Sequence, residues 1–396
     1  MDRYYNGVVD PYLCCASMKQ GIIRFFFLLI FLFTGTTSKP GSQGPFGTPV
    51  DIVFCLDLSG STNGIIDRMR NHIWDYVNLF SNCTPRPDFR IGFVGFARPS
   101  FGKDNYYVKV IADLTHDIEG LTNELLKLRT QIEKGDQFVG PALKVCGEKI
   151  SWSDRPEAVK VLFLGGNGLV TTGSEPYTKA VETCVAKGII VNCVYILNNP
   201  VVGEQAGWED IASRGNGKYT SMQVKFEYFE NLGGFNMDKL FALNKQLNET
   251  YLYYGPIGKE RARIQRAIDE SIYKANSEGY RYRLQFRISD LYLYKNAAWD
   301  LVDLHSRNPA ALATIDRNLL SDTLKYLTDP DLRAQVIFNK GKRNKVIADI
   351  RKMLAEKEQL MKDKNLVADK NMKTFDITTI KWLTDILLAK GFTVNE

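Results

Sequence analysis

Apolar positions along the chain fall into two regimes. Between residues 48 and 223, short apolar runs alternate with segments of helical period. Residues 50–56 are almost continuously apolar, broken only by Asp51, which predicts a strand buried on both faces. A helix follows, marked by Ile65, Ile66, Met69, Ile73, Trp74 and Val77. Residues 89–96 alternate in the β manner and 106–112 form another run, with a turn at 101–105 between them, so the two are expected to pair antiparallel. Residues 117–132 and 141–150 read as helices, 158–164 and 189–196 as buried strands around a helix at 178–187. A short helix at 208–214 and a terminal strand at 218–222 complete the set. Strands alternating with helices of this length predict an α/β fold, a doubly wound and mostly parallel sheet.

After Gln223 the period changes. Residues 235–252, 258–277, 330–371 and 375–391 carry helical spacing, and no strand is evident. Within 258–277 the apolar stripe is Ile264, Ala267, Ile268, Ile272 and Ala275. Within 330–371, read as one helix or two, it is Val336, Ile337, Val346, Ile347, Ile350 and Leu354. Gly391 is placed to end the last helix. The expected organisation is an α/β domain at 48–223 followed by an all-helical C-terminal extension at 224–396.

The start of the chain reads differently. Phe25 through Phe33 is an intensely apolar run preceded by Lys19 and Arg24 and followed by small residues, the pattern of a secretory signal over 1–38, with Met18 a better start than Met1. The run is short for a membrane span of about 20 residues, so no stable membrane insertion is expected after cleavage. Pro, Gly and Ser then mark a linker at 39–47. Export to a periplasmic, cell-envelope or extracellular location follows. Of the seven cysteines, Cys14 and Cys15 precede the apolar run. Cys55, Cys83, Cys146, Cys184 and Cys193 remain, and an oxidising compartment allows one or two disulfides among them. Cys55 and Cys193 lie in apolar strands and read as small buried hydrophobes.

A net charge of +6 over 396 residues, with no dense basic cluster, gives no reason to expect a nucleic-acid partner. Neither His72, His116 nor His305 lies in a metalloprotease spacing or near a plausible nucleophile, so an enzyme is not expected. Gly215-Asn216-Gly217-Lys218 imitates the end of a phosphate loop but lacks its earlier glycine and strand. Asn82-Cys83-Thr84 and Asn248-Glu249-Thr250 fit the glycosylation acceptor pattern.

The candidate chemistry lies where the first strand ends, in Asp57-Leu58-Ser59-Gly60-Ser61. One carboxylate and two hydroxyls reach the carboxyl edge of a sheet, where open α/β folds keep ligand sites. Hard oxygens with an acid suit a divalent cation such as Mg²⁺. Equally, Asp57, Ser59 and Ser61 could cap the helix that follows.

This string resembles the D-x-S-x-S core of the metal-ion-dependent adhesion site in von Willebrand factor type A domains. In that family a Thr from a later loop and an Asp at a later strand end complete the shell. Here the corresponding positions are Gln137, in KGDQFVGPAL, and Asn167, in GNG; Asp136 stands beside Gln137 and could supply a carboxylate. The segments LNETYLYYGPIGKERARIQRA and YLYKNAAWDLVDL, with the final KGF, resemble the tail of secreted bacterial proteins that carry such a domain. The resemblance implies a fold of the von Willebrand type A or Rossmann-like kind and a protein-binding role. Mg²⁺ or Mn²⁺ would be weakly held by Asp57, Ser59, Ser61, Gln137, Asn167 and Asp136, with Asp57 acting through water. The partner would be a protein offering an acidic side chain. The alternative is a metal-free envelope scaffold or assembly protein whose ion site has decayed.

Overall fold

Nine residues, Pro49–Asp57, form β1 and are buried throughout, including the acid near its start. Asp51 is tolerated there because Arg90 grips it with two hydrogen bonds, Nε at 2.9 Å and Nη2 at 2.8 Å, and the Ser153 N–H adds a third at 2.7 Å. A buried carboxylate paired in this way keeps its charge compensated.

A computed structural model describes residues 47–62, 64–128, 133–197, 202–223, 235–274, 279–289, 292, 295–363 and 373–395. The leader expected at 1–38 and nearly all of the linker at 39–47 lie outside them. Helix α1 is Ile65–Ser81, and the short strand β2, Cys83–Thr84, follows. Then come β3 (Asp88–Phe96), β4 (Lys109–Thr115), α2 (Ile118–Lys127) and α3 (Val139–Glu148). The sheet continues with β5 (Val159–Gly166), α4 (Tyr177–Ala186), β6 (Ile189–Ile196), α5 (Glu204–Arg214) and β7 (Tyr219–Met222). The strand order is β4-β3-β1-β5-β6-β7, with β4 antiparallel to β3 and every other neighbour parallel. This is the expected α/β doubly wound, mostly parallel sheet.

The two faces of β1 follow its period of two. Val53 and Cys55 face one layer with Leu143 and Cys146 of α3, Val181 of α4 and Trp208 of α5. Ile52, Phe54 and Leu56 face the other, with Met69, Ile73 and Val77 of α1. Six helices follow Gln223 among the described residues, and all but Leu301–Arg307 add to that second layer. The six are α6 (Met237–Glu249), α7 (Gly255–Lys274), α8 (Gly279–Arg287), α9 (Leu301–Arg307), α10 (Asp329–Asp363) and α11 (Phe375–Ala389). Residues from α6, α7, α8, α10 and α11 share one apolar core with β1 and α1, and Gln43–Glu396 forms one compact unit.

α11 completes the cover of the sheet. Its Phe375 ring lies 6.3 Å from that of Phe54, and a Cβ on Gly165 would come within 2.7 Å of it. Glycine at 165 therefore lets the helix seat directly on β5. The helix ends as its sequence predicts: Gly391 has φ 87°, and the Phe392 N–H returns to the Leu387 carbonyl at 3.1 Å.

Several local expectations are corrected. Tyr106 and Tyr107 belong to no strand; both have positive φ, and β4 starts at Lys109. Helix α2 ends at Lys127, with Leu128 extended. Helix α5 begins at Glu204, four residues before 208, because Gly203 takes the left-handed conformation at its start. The region after Gln223 holds a strand after all: β8, Thr393–Val394, pairs antiparallel with β2. α8 was not anticipated. The five described cysteines are all buried free thiols, so no disulfide forms among them. Among the described residues no helix is long and apolar enough to cross a membrane.

Candidate functional site

Asp57 is the last residue of β1 and pairs in register with Phe96 of β3. On its other side β5 runs on to Gly166, where a Cβ would lie 2.6 Å from the Asp57 Cβ. Only glycine permits that approach, and it brings the next residue, Asn167, against the acid. Asp57 is fully buried, and Ser59 and Asn167 are each 5% exposed. The carboxylate thus sits beneath the rim of the sheet and not on an open crevice.

The turn after β1 is held by its own polar atoms. The Ser59 N–H donates to Asp57 Oδ1 at 2.8 Å, and the Leu58 N–H to the Phe96 carbonyl at 3.0 Å. Thr62 Oγ1 donates to the Asp57 carbonyl at 2.7 Å and to that of Ser59 at 3.0 Å. A 3-10 turn spans Gly60–Thr62 and contains Ser61, whose side chain lies outside the described residues. The capping alternative does not hold for Asp57 and Ser59. Helix α1 starts behind Gly64 at φ 103°, with no side-chain cap.

The loop carrying Asp136 and Gln137 is clamped to the same edge. Glu133 binds Arg98 through Nε at 2.9 Å and takes the Ser100 N–H at 2.8 Å, while its carbonyl accepts the Gly60 N–H at 3.0 Å. Gln137 Nε2 then reaches Asn167 Oδ1 at 3.5 Å. Asp136 stays exposed, and among the described residues its carboxylate makes no hydrogen bond or ion pair. The structure therefore brings Asp57, Ser59, Gln137 and Asn167 together and leaves the Asp136 carboxylate unengaged.

Two contributors were not visible in sequence. Thr62 lies five residues from Asp57, and its hydroxyl fixes the carbonyl of that residue. Glu204, at the start of α5, accepts from the Gly168 N–H at 3.3 Å and from the Tyr195 hydroxyl at 2.5 Å. Trp208 Nε1 holds the Gly168 carbonyl at 2.9 Å. Together they fix the turn that presents Asn167. No spacing rule links positions this far apart.

Burial pushes the Asp57 carboxyl up to about 6, against the pull of the Ser59 N–H and hydroxyl, the Asn167 N–H and the Thr62 hydroxyl. Its Oδ2 is buried and has no hydrogen-bond partner among the described residues. Among the described residues no basic side chain pairs with it; Arg98 binds Glu133. An acid so placed lacks a positive partner, and buried charges are ordinarily paired or bound to metal. The donor set fits a hard divalent cation: Asp57, the Ser59 hydroxyl and the amide oxygens of Gln137 and Asn167, with Ser61 in the same turn.

No protein-family model and no curated protein matches the sequence. Solved structures do resemble it. Proximal thread matrix protein 1 from the mussel byssus matches with 19% identity and a TM-score of 0.35, over 45% of this chain and 42% of that one; a structure of that protein has a zinc-occupied MIDAS motif. An aerotolerance-related membrane protein from Bacteroides fragilis matches with 16% identity and a TM-score of 0.32, over 44% of this chain and 92% of that one. A von Willebrand factor type A structure from Catenulispora acidiphila matches with 14% identity and a TM-score of 0.34, over 45% and 39%. The chain thus spans less than half the length of the mussel protein.

Proposed function

We propose that the protein is an exported binding module, not an enzyme, that recognises a protein partner through a degenerate adhesion-type ion site. Asp57, Ser59 and Ser61 would hold Mg²⁺ or Mn²⁺, with Gln137 and Asn167 adjacent. Asp136, exposed on the neighbouring loop, is a contact for the incoming partner in this reading. The bound ion supplies a positive centre that an acidic side chain of the partner can complete. The observation that carries the proposal is the buried Oδ2 of Asp57, which has no hydrogen-bond partner among the described residues. A positive charge would relieve it, and the surrounding oxygens are of the right kind.

The helices after Gln223 would hold the sheet face rigid behind the site and offer further surface. Export rests on the apolar run Phe25 through Phe33, and mature-chain sequencing from the native host would show cleavage near residue 38.

The test is ion-dependent stabilisation of the full chain. A ligand that binds only the folded state raises its melting temperature. Millimolar Mg²⁺ or Mn²⁺ should raise the melting temperature of the wild type and leave Asp57→Ala unmoved.

One observation favours a second reading, the metal-free scaffold. Gln137 and Asn167 are hydrogen-bonded to each other, so both amides already have a use without an ion. Under that reading neither ion nor chelator changes stability or partner binding.

A further inference from the structure

A second group of metal-type donors lies where α11 docks against α1. His72 and Asp75, three residues apart on α1, share one face of that helix, and Asp376 comes from the first turn of α11. His72 Nδ1 lies 2.8 Å from Asp75 Oδ2 and 3.5 Å from Asp376 Oδ2, and the three donor atoms all fall within 4.8 Å of one another. Their side chains are 7%, 11% and 2% exposed.

One proton on Nδ1 serves one carboxylate well, yet here two converge on the same nitrogen. A tetrahedral zinc ion with ligands at about 2.0 Å sets them about 3.3 Å apart, between the two separations seen. A mixed nitrogen and oxygen set suits zinc better than Mg²⁺. Arg68 Nε holds the other Asp376 oxygen, Oδ1, at 2.6 Å, as an outer partner that orients a ligand while leaving Oδ2 turned to the cluster.

Within this cluster Asp75 Oδ1 is buried without a hydrogen-bond partner among the described residues.

We propose that His72, Asp75 and Asp376 form a zinc-binding site that ties α11 to α1, separate from the strand-end site at Asp57. Water would complete the coordination. The ion would fasten the helix that closes the sheet to the helix that follows the Asp57 turn.

The test uses the full chain stripped with a chelator and titrated calorimetrically with Zn²⁺, alongside Asp57→Ala, Asp75→Asn and His72→Ala. The expected result is one zinc site in wild type and in Asp57→Ala, weakened roughly tenfold or more in Asp75→Asn and His72→Ala. Co²⁺ should give the intense visible absorption of a tetrahedral site, and the same two substitutions should remove it. Asp75→Asn keeps the side-chain shape, so it serves if His72→Ala fails to fold. Absence of zinc binding in wild type at roughly 100 μM would overturn the proposal. So would wild-type affinity in Asp75→Asn, or loss of the ion in Asp57→Ala alone, which would assign it to the strand end instead.

Discussion

Gln137 Nε2 donates to Asn167 Oδ1 across 3.5 Å, so the two candidate side chains from the later loops are neutral amides turned on each other. The site has one buried carboxylate where two would hold a dication better.

Asn167→Asp should therefore tighten Mg²⁺ or Mn²⁺ binding, on the order of tenfold, by placing a second negative charge beside the ion. The same change should destabilise the metal-free protein, because like charges then meet under cover. Titration calorimetry and unfolding with a chelator measure the two effects separately. Unchanged or weaker ion affinity would argue against this placement of the ion.

Asp57→Asn should stabilise the metal-free protein at pH 7.5. The folded carboxyl titrates near 6, above the unfolded value of about 3.9. Its favourable contribution is thus complete below the unfolded value and is lost as pH rises through 6. A shift of about two units corresponds to a cost on the order of 3 kcal/mol at pH 7.5. An amide keeps the acceptor for the Ser59 N–H and removes the charge. Urea unfolding with a chelator should show a gain at pH 7.5 that fades toward pH 4.

Arg343→Ala should cost about 3–5 kcal/mol, since it strands two acids in the helical region. Arg343 is fully buried and binds Asp300 at 2.9 Å, Asp303 at 2.5 Å and the Thr250 carbonyl at 3.0 Å. Burial and the neighbouring Asp303 push the Asp300 carboxyl up even with the arginine in place, so protonation relieves part of the deficit. Unfolding free energies at pH 7.5 and pH 5 should show a smaller loss at the lower pH.

A fragment covering residues 47–223 should not fold cooperatively. It keeps all six strands of the main sheet but loses α11 and α8. Phe375 leaves Phe54, and Phe286 leaves Trp74, whose rings stack 4.9 Å apart. Each buried aromatic so exposed forfeits about 1.5–3 kcal/mol. Near-ultraviolet circular dichroism and a melting curve would decide it; a sharp transition would show that the sheet stands without its C-terminal cover.

What the sequence revealed depended on how local the governing interactions are. The strands around residues 50–56, 158–164 and 189–196 are buried on both faces, so their apolar runs are unbroken and legible. α8 is not, because Arg283 and Arg287 occupy fully buried positions and hide its period. Their charges are absorbed by Asp269 and Glu119 from other helices, which no local pattern announces. β8 is two residues long, too short for a period. Asp57 and Ser59 stood out because their turn is contiguous in sequence. Glu204 did not, since its role arises only where α5 meets the turn after β5. The shared core of sheet and helices was equally hidden, because the last helix to cover β1 comes from the far end of the chain.

The most direct test of the account is calorimetric titration of the full wild-type chain with Mg²⁺ and Mn²⁺ at pH 5 and pH 7.5, repeated with Asp57→Ala. Protons and cations compete for Asp57, so binding should be measurable at pH 7.5, weaker at pH 5 and absent in the variant. No heat of binding at either pH, or equal binding by Asp57→Ala, would contradict it.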